Sequence, residues 1–161
     1  MDEKRFQACL AVTLEWEGGY SNDAHDPGGA TNKGIIQREY DAWRDAQKLP
    51  RRGVLHIGDA EVSTIYRDEY WAKAGCDVLP AGLDLAVFDA SVNNGVSRAA
   101  KWIVEIGTEP IAAIDAYMDA RLEFDQSLGR LWRYFGVGWT RRIAGVREQA
   151  KIMAGVPVEV A

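Results

Sequence analysis

Near the N-terminus, Phe6, Cys9, Leu10, Thr13 and Leu14 recur at the i, i+3, i+4, i+7 and i+8 positions of a 3.6-residue period. This pattern fixes one apolar face of a helix, and carried forward it reaches position 17. Glu17 therefore continues the buried face, while Glu15 points elsewhere. Gly18 and Gly19 come next, where backbone freedom ends a helix. A carboxylate in that place meets two penalties on its charge, the loss of water and the negative end of the helix dipole. Both favour the protonated acid, so Glu17 is the candidate general acid. The competing reading is a solvated or capping glutamate at an ordinary helix end.

The segment that follows, residues 21–34, is polar and rich in turn formers. Asp26-Pro27-Gly28-Gly29 is a turn signal, since proline fixes one φ and glycine permits φ above zero. Flanked by Tyr20 and by Ile35-Ile36, it predicts a small hairpin or ordered loop after the first helix. It carries a second carboxylate, Asp26, and a hydroxyl, Thr31. Glycoside hydrolysis needs one group to protonate the departing oxygen and another to activate water or stabilise the sugar cation. An acid on a helix end facing an acid on a loop supplies both. The alternative for Asp26 is an Asx-type residue capping its own turn.

Glu17-Gly18-Gly19-Tyr20 followed by Asp26-Pro27-Gly28-Gly29-Ala30-Thr31-Asn32-Lys33-Gly34-Ile35 resembles the signature of glycoside hydrolase family 108. Further along, Ile65-Tyr66-Arg67 with Tyr70-Trp71, Leu79-Pro80-Ala81-Gly82-Leu83 and Ala86-Val87-Phe88-Asp89 are similar too. Asn93-Asn94-Gly95 and Gly138-Trp139-Thr140-Arg141-Arg142 complete a likeness that spans almost the whole chain. The resemblance implies a mainly α, lysozyme-like fold of the kind found in phage endolysins and secretion activator proteins. It implies cleavage of the β-1,4 bond after N-acetylmuramic acid, with Glu17 as the essential acid. It also implies a peptidoglycan-binding region in the C-terminal part, so that residues 1–94 form the catalytic region and 95–161 a helical wall-binding region packed on it. Ile36 stands where the resemblance implies a threonine capping the next helix.

The rest of the chain reads as helix after helix. Gln37–Gln47 carries Tyr40 and Trp43, and Asp59 is the expected N-cap of a helix to Trp71 with Val62, Ile65, Tyr66 and Tyr70 inward. Leu83–Asn93 ends at Asn94-Gly95, and Ser97 opens a segment through Trp102 and Ile106. A long helix from Pro110 to about Leu128 uses Ile111, Ile114, Met118, Leu122 and Phe124. Gly136 and Gly138 are expected to break the pattern before a last helix bearing Ile143, Val146 and Met153.

Sugars have apolar ring faces edged by hydroxyls, so aromatic planes and amides are the groups to bind them. Tyr20, Asn32, Tyr70, Trp71, Asn93, Asn94 and Trp139 are the candidates, with core packing or helix capping as the competing fates. At 161 residues and 47% hydrophobic, the chain can bury a real core. No run of apolar residues is long enough to cross a membrane, and Glu15 interrupts the only N-terminal stretch resembling a secretory signal. Cys9 and Cys76 stand far apart in sequence, and no spaced Cys/His/Asp cluster implies a metal or other cofactor.

Charge is uneven. Residues 1–120 carry 12 Lys/Arg against 20 Asp/Glu, whereas 121–161 carry 7 against 4. An overall −5 argues against nucleic acid, whose binding rests on phosphate neutralisation. Arg121, Arg130, Arg133, Arg141, Arg142 and Arg147 read either as a solvated helix face or as a contact for the anionic peptide stems of the wall. The expectation is a monomeric muramidase acting on peptidoglycan glycan strands, held in the cytoplasm until a holin or another secretion route releases it. The alternatives are a lytic transglycosylase using the same glutamate, a non-catalytic wall-binding or secretion-assisting protein, and an unrelated helical adaptor.

Overall fold

A computed structural model describes residues 2–22, 29–106 and 110–155. Asp26 and its turn partners Pro27 and Gly28 lie outside the described residues, as do the side chains of Ile106 and Ile111. The architecture is mainly helical with one small hairpin, as the sequence predicts.

Helix α1 runs Glu3–Glu15, opened by Asp2, whose carboxylate accepts from the Lys4 and Arg5 N–H groups. Phe6, Cys9, Leu10 and Thr13 are buried along it, the face read from the sequence. The helix stops at Glu15, before the glycine pair. Trp16 donates its N–H to the Thr13 carbonyl at 3.1 Å and Glu17 to that of Leu14 at 3.2 Å. Gly18 and Gly19 are exposed, and neither uses a positive φ.

The hairpin pairs β1 (Thr31–Asn32) with β2 (Ile35–Ile36) in antiparallel register, Thr31 opposite Ile36. Its two-residue loop has Lys33 at φ 50° and Gly34 at φ 75°. Two successive left-handed residues make a type I′ turn, the geometry that matches strand twist. Ser21 and Thr31 exchange backbone hydrogen bonds at 2.8 Å, tying the segment after Glu17 to the hairpin.

Helix α2 (Gln37–Ala46) starts at Ile36 with no side-chain cap, as expected from the missing threonine. The Ala30 carbonyl instead accepts the Gln37 N–H at 2.8 Å. Helix α3 spans Asp59–Tyr66 and passes into a π-helical turn, Arg67–Trp71. Its cap is Gly58 rather than Asp59, with the Glu61 carboxylate accepting the Gly58 N–H at 3.0 Å.

Helix α4 (Leu83–Asn94) is the centre of the molecule. Every residue from Leu83 to Ser91 is buried, including Asp84 and Asp89. A helix buried all round must be enclosed by neighbours, and α1, α5 (Val96–Ile106), α6 (Pro110–Ser127) and α7 (Arg130–Met153) pack against it. Gly95, at φ 90°, ends α4 where the sequence predicts.

The expected break at Gly136 and Gly138 is not there, because α7 runs through both. Gly136 is needed for close packing: a Cβ there would sit 2.7 Å from the Trp132 ring. Gly145 does the same for Trp16, whose Cζ2 would lie 2.5 Å away. The helix gives up some propensity at each and gains close approach to an indole.

Candidate active site

Glu17 follows α1 by two residues, and among the described residues three elements surround its carboxyl. From α7, Arg142 donates Nη1–H to Oε1 at 2.8 Å. From the hairpin, Gly34 lies so close that a Cβ would be 2.8 Å from Oε2. From α3, the buried Tyr66 hydroxyl stands at the same spot, 2.5 Å from that Cβ position, and donates to the Lys33 carbonyl at 2.8 Å. The tight I′ turn, the missing side chain at Gly34 and the phenol thus form one wall behind the acid. The Glu17 side chain is 18% exposed, so it opens to solvent on its remaining side.

The surroundings differ from the buried apolar face expected from sequence. Arg142 is not a passing surface cation: its side chain is 8% exposed and its other nitrogens grip Asp89 on α4. Nε donates to Asp89 Oδ2 at 3.0 Å and Nη2 to Oδ1 at 2.9 Å. Arg121 on α6, itself wholly buried, donates Nη1–H to Asp89 Oδ2 at 2.7 Å and Nη2–H to Asn93 Oδ1 at 3.1 Å. Full burial opposes a charge on Asp89, yet Arg121 and Arg142 outweigh it and hold the carboxyl below its ordinary range. Burial likewise opposes the Arg142 charge, but Asp89 and then Glu17 more than restore it. Burial, reinforced by Glu17, pushes the Tyr66 phenol up, and burial with Glu39 and Glu17 pushes Tyr70 up to about 12. Both phenols are therefore neutral donors at physiological pH.

The other expected site residues fall into three groups. Tyr20 is 44% exposed, Tyr70 is half-buried, and Asn93 and Trp139 reach the surface, so all four are accessible. Tyr70 lines a recess of about 400 Å³ with Glu39, Trp43 and Glu69. Asn32, Asn94 and Thr31 have internal partners. Asn32 Nδ2 donates to the Val54 carbonyl at 3.2 Å, Asn94 Nδ2 to Asp125 at 2.7 Å, and Thr31 Oγ1 to the Gly29 carbonyl at 3.3 Å. Trp71 must be corrected. The π turn carries it into the core, 1% exposed, edge-on to Phe6 and Phe88 at 5.4 Å, with Nε1 donating to Asp77 at 2.9 Å. No glycan can reach it.

Half of the basic tail is corrected in the same way, while Arg130, Arg133 and Arg141 are exposed as a solvated face requires. Arg121 and Arg142 are core ion-pair partners, and Arg147 meets Asp115 and Asp119 on α6. A signal for the first two was present in α4. Asp89 interrupts Leu85-Ala86-Val87-Phe88 and Ala90, and a charge inside so apolar a helix requires a buried cation. Among the described residues no group of three or more His, Cys, Asp or Glu is placed to hold a metal, and no helix is long and apolar enough to cross a membrane.

The family model for glycosyl hydrolase 108 matches residues 10–95, which begin inside α1, contain Glu17 and end with α4. The chain belongs to glycosyl hydrolase family 108. It is similar over nearly its whole length to a solved structure described as "Structure of Brucella abortus SagA". The two are 31% identical, with 94% of this chain and 97% of that one covered and a TM-score of 0.79. No curated protein sequence matches it. Membership in family 108 makes the chain, at family level, a peptidoglycan-directed glycoside hydrolase. The matched segment holds Glu17, Gly34, Tyr66 and Asp89, whereas Arg121 and Arg142 lie beyond it.

Proposed function

We propose that this family 108 member is an N-acetylmuramidase, a lysozyme cleaving the β-1,4 bond between N-acetylmuramic acid and N-acetylglucosamine. The observation that carries the reading is the setting of Glu17. Its carboxyl is held by a buried guanidinium and a hairpin wall, yet is open on one side. Glu17 donates its proton to the glycosidic oxygen as the bond to the sugar breaks. Asp26 orients the attacking water or stabilises the positive charge on the sugar, and Thr31 lies on the strand leading from that loop. Tyr20, Tyr70 and Asn93 contact the glycan.

Residues 95–161 hold the wall in this reading. The N-terminal half of α7 turns Tyr134, Phe135 and Val137 outward, 71%, 53% and 70% exposed, beside Arg130, Arg133 and Arg141. Flat apolar surface among cations suits sugar rings carrying carboxylated peptides. The enzyme acts as a monomer, held in the cytoplasm until a holin or another secretion route delivers it to the wall.

The test is clearance of permeabilised bacteria by the purified protein beside Glu17→Gln, which keeps the shape and removes the proton. We expect the loss of at least about two orders of magnitude in rate, the contribution typical of a general acid. A Gln variant clearing walls at the unaltered rate overturns the assignment. Mass spectrometry of the products separates hydrolysis from transglycosylation, whose anhydro ends are lighter by one water. Binding to peptidoglycan without release of reducing ends would instead mark a non-catalytic wall protein.

A further inference from the structure

Resting on that assignment of Glu17, we propose that Arg142 is a positioning residue that makes the two oxygens of the acid unequal, so that Oε2 carries the catalytic proton. The guanidinium reaches Glu17 through a single N–H, Nη1 to Oε1 at 2.8 Å, and spends Nε and Nη2 on Asp89. A planar fork fixed on a buried carboxylate cannot rotate away from Glu17. Asp89 is in turn fixed by Arg121, so α4, α6 and α7 together set where one oxygen of an acid at the end of α1 must lie. An oxygen that accepts a charged N–H is a poor place for a proton, whereas it serves well as the carbonyl oxygen of a protonated carboxyl. The proton then sits on Oε2, beside Gly34 and the Tyr66 hydroxyl. When the proton passes from Oε2 to the glycosidic oxygen, the C–O bond breaks and its electrons go to the leaving hydroxyl. The new carboxylate keeps its bond to Arg142 through Oε1. The cation stabilises the charge as it appears, which strengthens the acid at the moment of transfer.

Among the described residues, several elements bring charged or titratable groups to Glu17 or to its guanidinium partner. Arg142 faces it from α7, Tyr66 from α3 and Tyr70 from the π turn, with Asp89 on α4 and Arg121 on α6 behind the guanidinium. Glu39 on α2 and Glu69 bear on Tyr70, raising its phenol after burial. Among the described residues Arg142 is the cation that touches the acid.

Arg142→Met leaves Asp89 paired with Arg121. On soluble peptidoglycan strands it should lower kcat at least about tenfold while KM stays within about threefold. Arg142→Lys keeps the charge but loses the fork, so it should recover part of the kcat lost in Arg142→Met while staying severalfold below the unaltered protein. This second variant serves if the first does not fold. An unchanged kcat in folded Arg142→Met, or a KM that rises as much as kcat falls, would overturn the inference, as would full kcat in Arg142→Lys. Glu17→Gln in the same assay separates the cases. If it is inactive while the Arg142 variants are unaffected, the positioning role fails; if it is active, the assignment of the acid itself fails.

Discussion

At the scale of single residues, the site depends on an atom that is missing. Gly34 sits at φ 75°, and a Cβ there would lie 2.5 Å from the Tyr66 hydroxyl and 2.8 Å from Glu17 Oε2. Gly34→Ala therefore meets two obstacles, a left-handed backbone costing about 1–2 kcal/mol and a methyl group pressed against the acid. We expect a modest fall in melting stability and a much larger fall in wall hydrolysis, about tenfold or more, since small displacements of a catalytic group are expensive. Equal proportional losses in both would mean that Gly34 serves the fold alone. Tyr66→Phe is the milder companion. It removes the 2.8 Å bond to the Lys33 carbonyl and should cost about 1 kcal/mol in thermal or denaturant unfolding, because the carbonyl at the hairpin tip is left unpaired.

At the scale of elements, the last helix explains why sequence reading succeeds in one place and fails in another. The first helix is legible because burial and period coincide: Phe6, Cys9, Leu10 and Thr13 all face inward, and the same count reaches Glu17. In α7 the glycines are visible but their purpose is not. A glycine that breaks a helix and one that admits an indole look alike until the partner, Trp132 or Trp16, is placed beside it. Trp71 failed for a related reason, since a π turn shifts the helical phase by one residue and no propensity announces it. The two kinds of glycine can be separated by experiment. Gly138 has nothing within 4 Å of a Cβ position, so Gly138→Ala should stabilise the protein by about 1 kcal/mol, the ordinary helix-interior gain. Gly145→Ala should lose that gain and more by displacing Trp16, the neighbour of Glu17. Chemical denaturation of the two variants checks the ordering, and a stabilised Gly145→Ala would show that Trp16 yields freely.

At the scale of the whole molecule, the acid just after α1 is joined through Arg142 to Asp89 and Arg121, two charges buried in the core. The count of basic residues in the C-terminal stretch was legible, but not which of them turn inward; Arg121 and Arg142 do so because Asp89 is fully buried. That network should govern how the fold responds to acid, and two of its carboxyls should act with opposite sign. Asp89 is held below its ordinary range, so the unfolded chain binds its proton more readily than the native one. Its contribution is complete above the unfolded value of about 3.9 and is lost as pH falls below that. Asp125 on α6 is pushed up by burial, which outweighs Arg121 and the bond from Asn94, and its Oδ2 has no hydrogen-bond partner. The native state holds that proton more tightly, so Asp125 subtracts stability as pH rises from about 4 toward neutral. Unfolding free energy measured from pH 3 to pH 7 should thus rise less steeply in Asp89→Asn than in the unaltered protein, and more steeply in Asp125→Asn. Identical slopes in all three would mean that neither carboxyl changes its proton affinity on folding. A flattened slope in Asp89→Asn alone would leave the Asp89 carboxylate, held by its two arginines, as the acid-sensitive element of the fold.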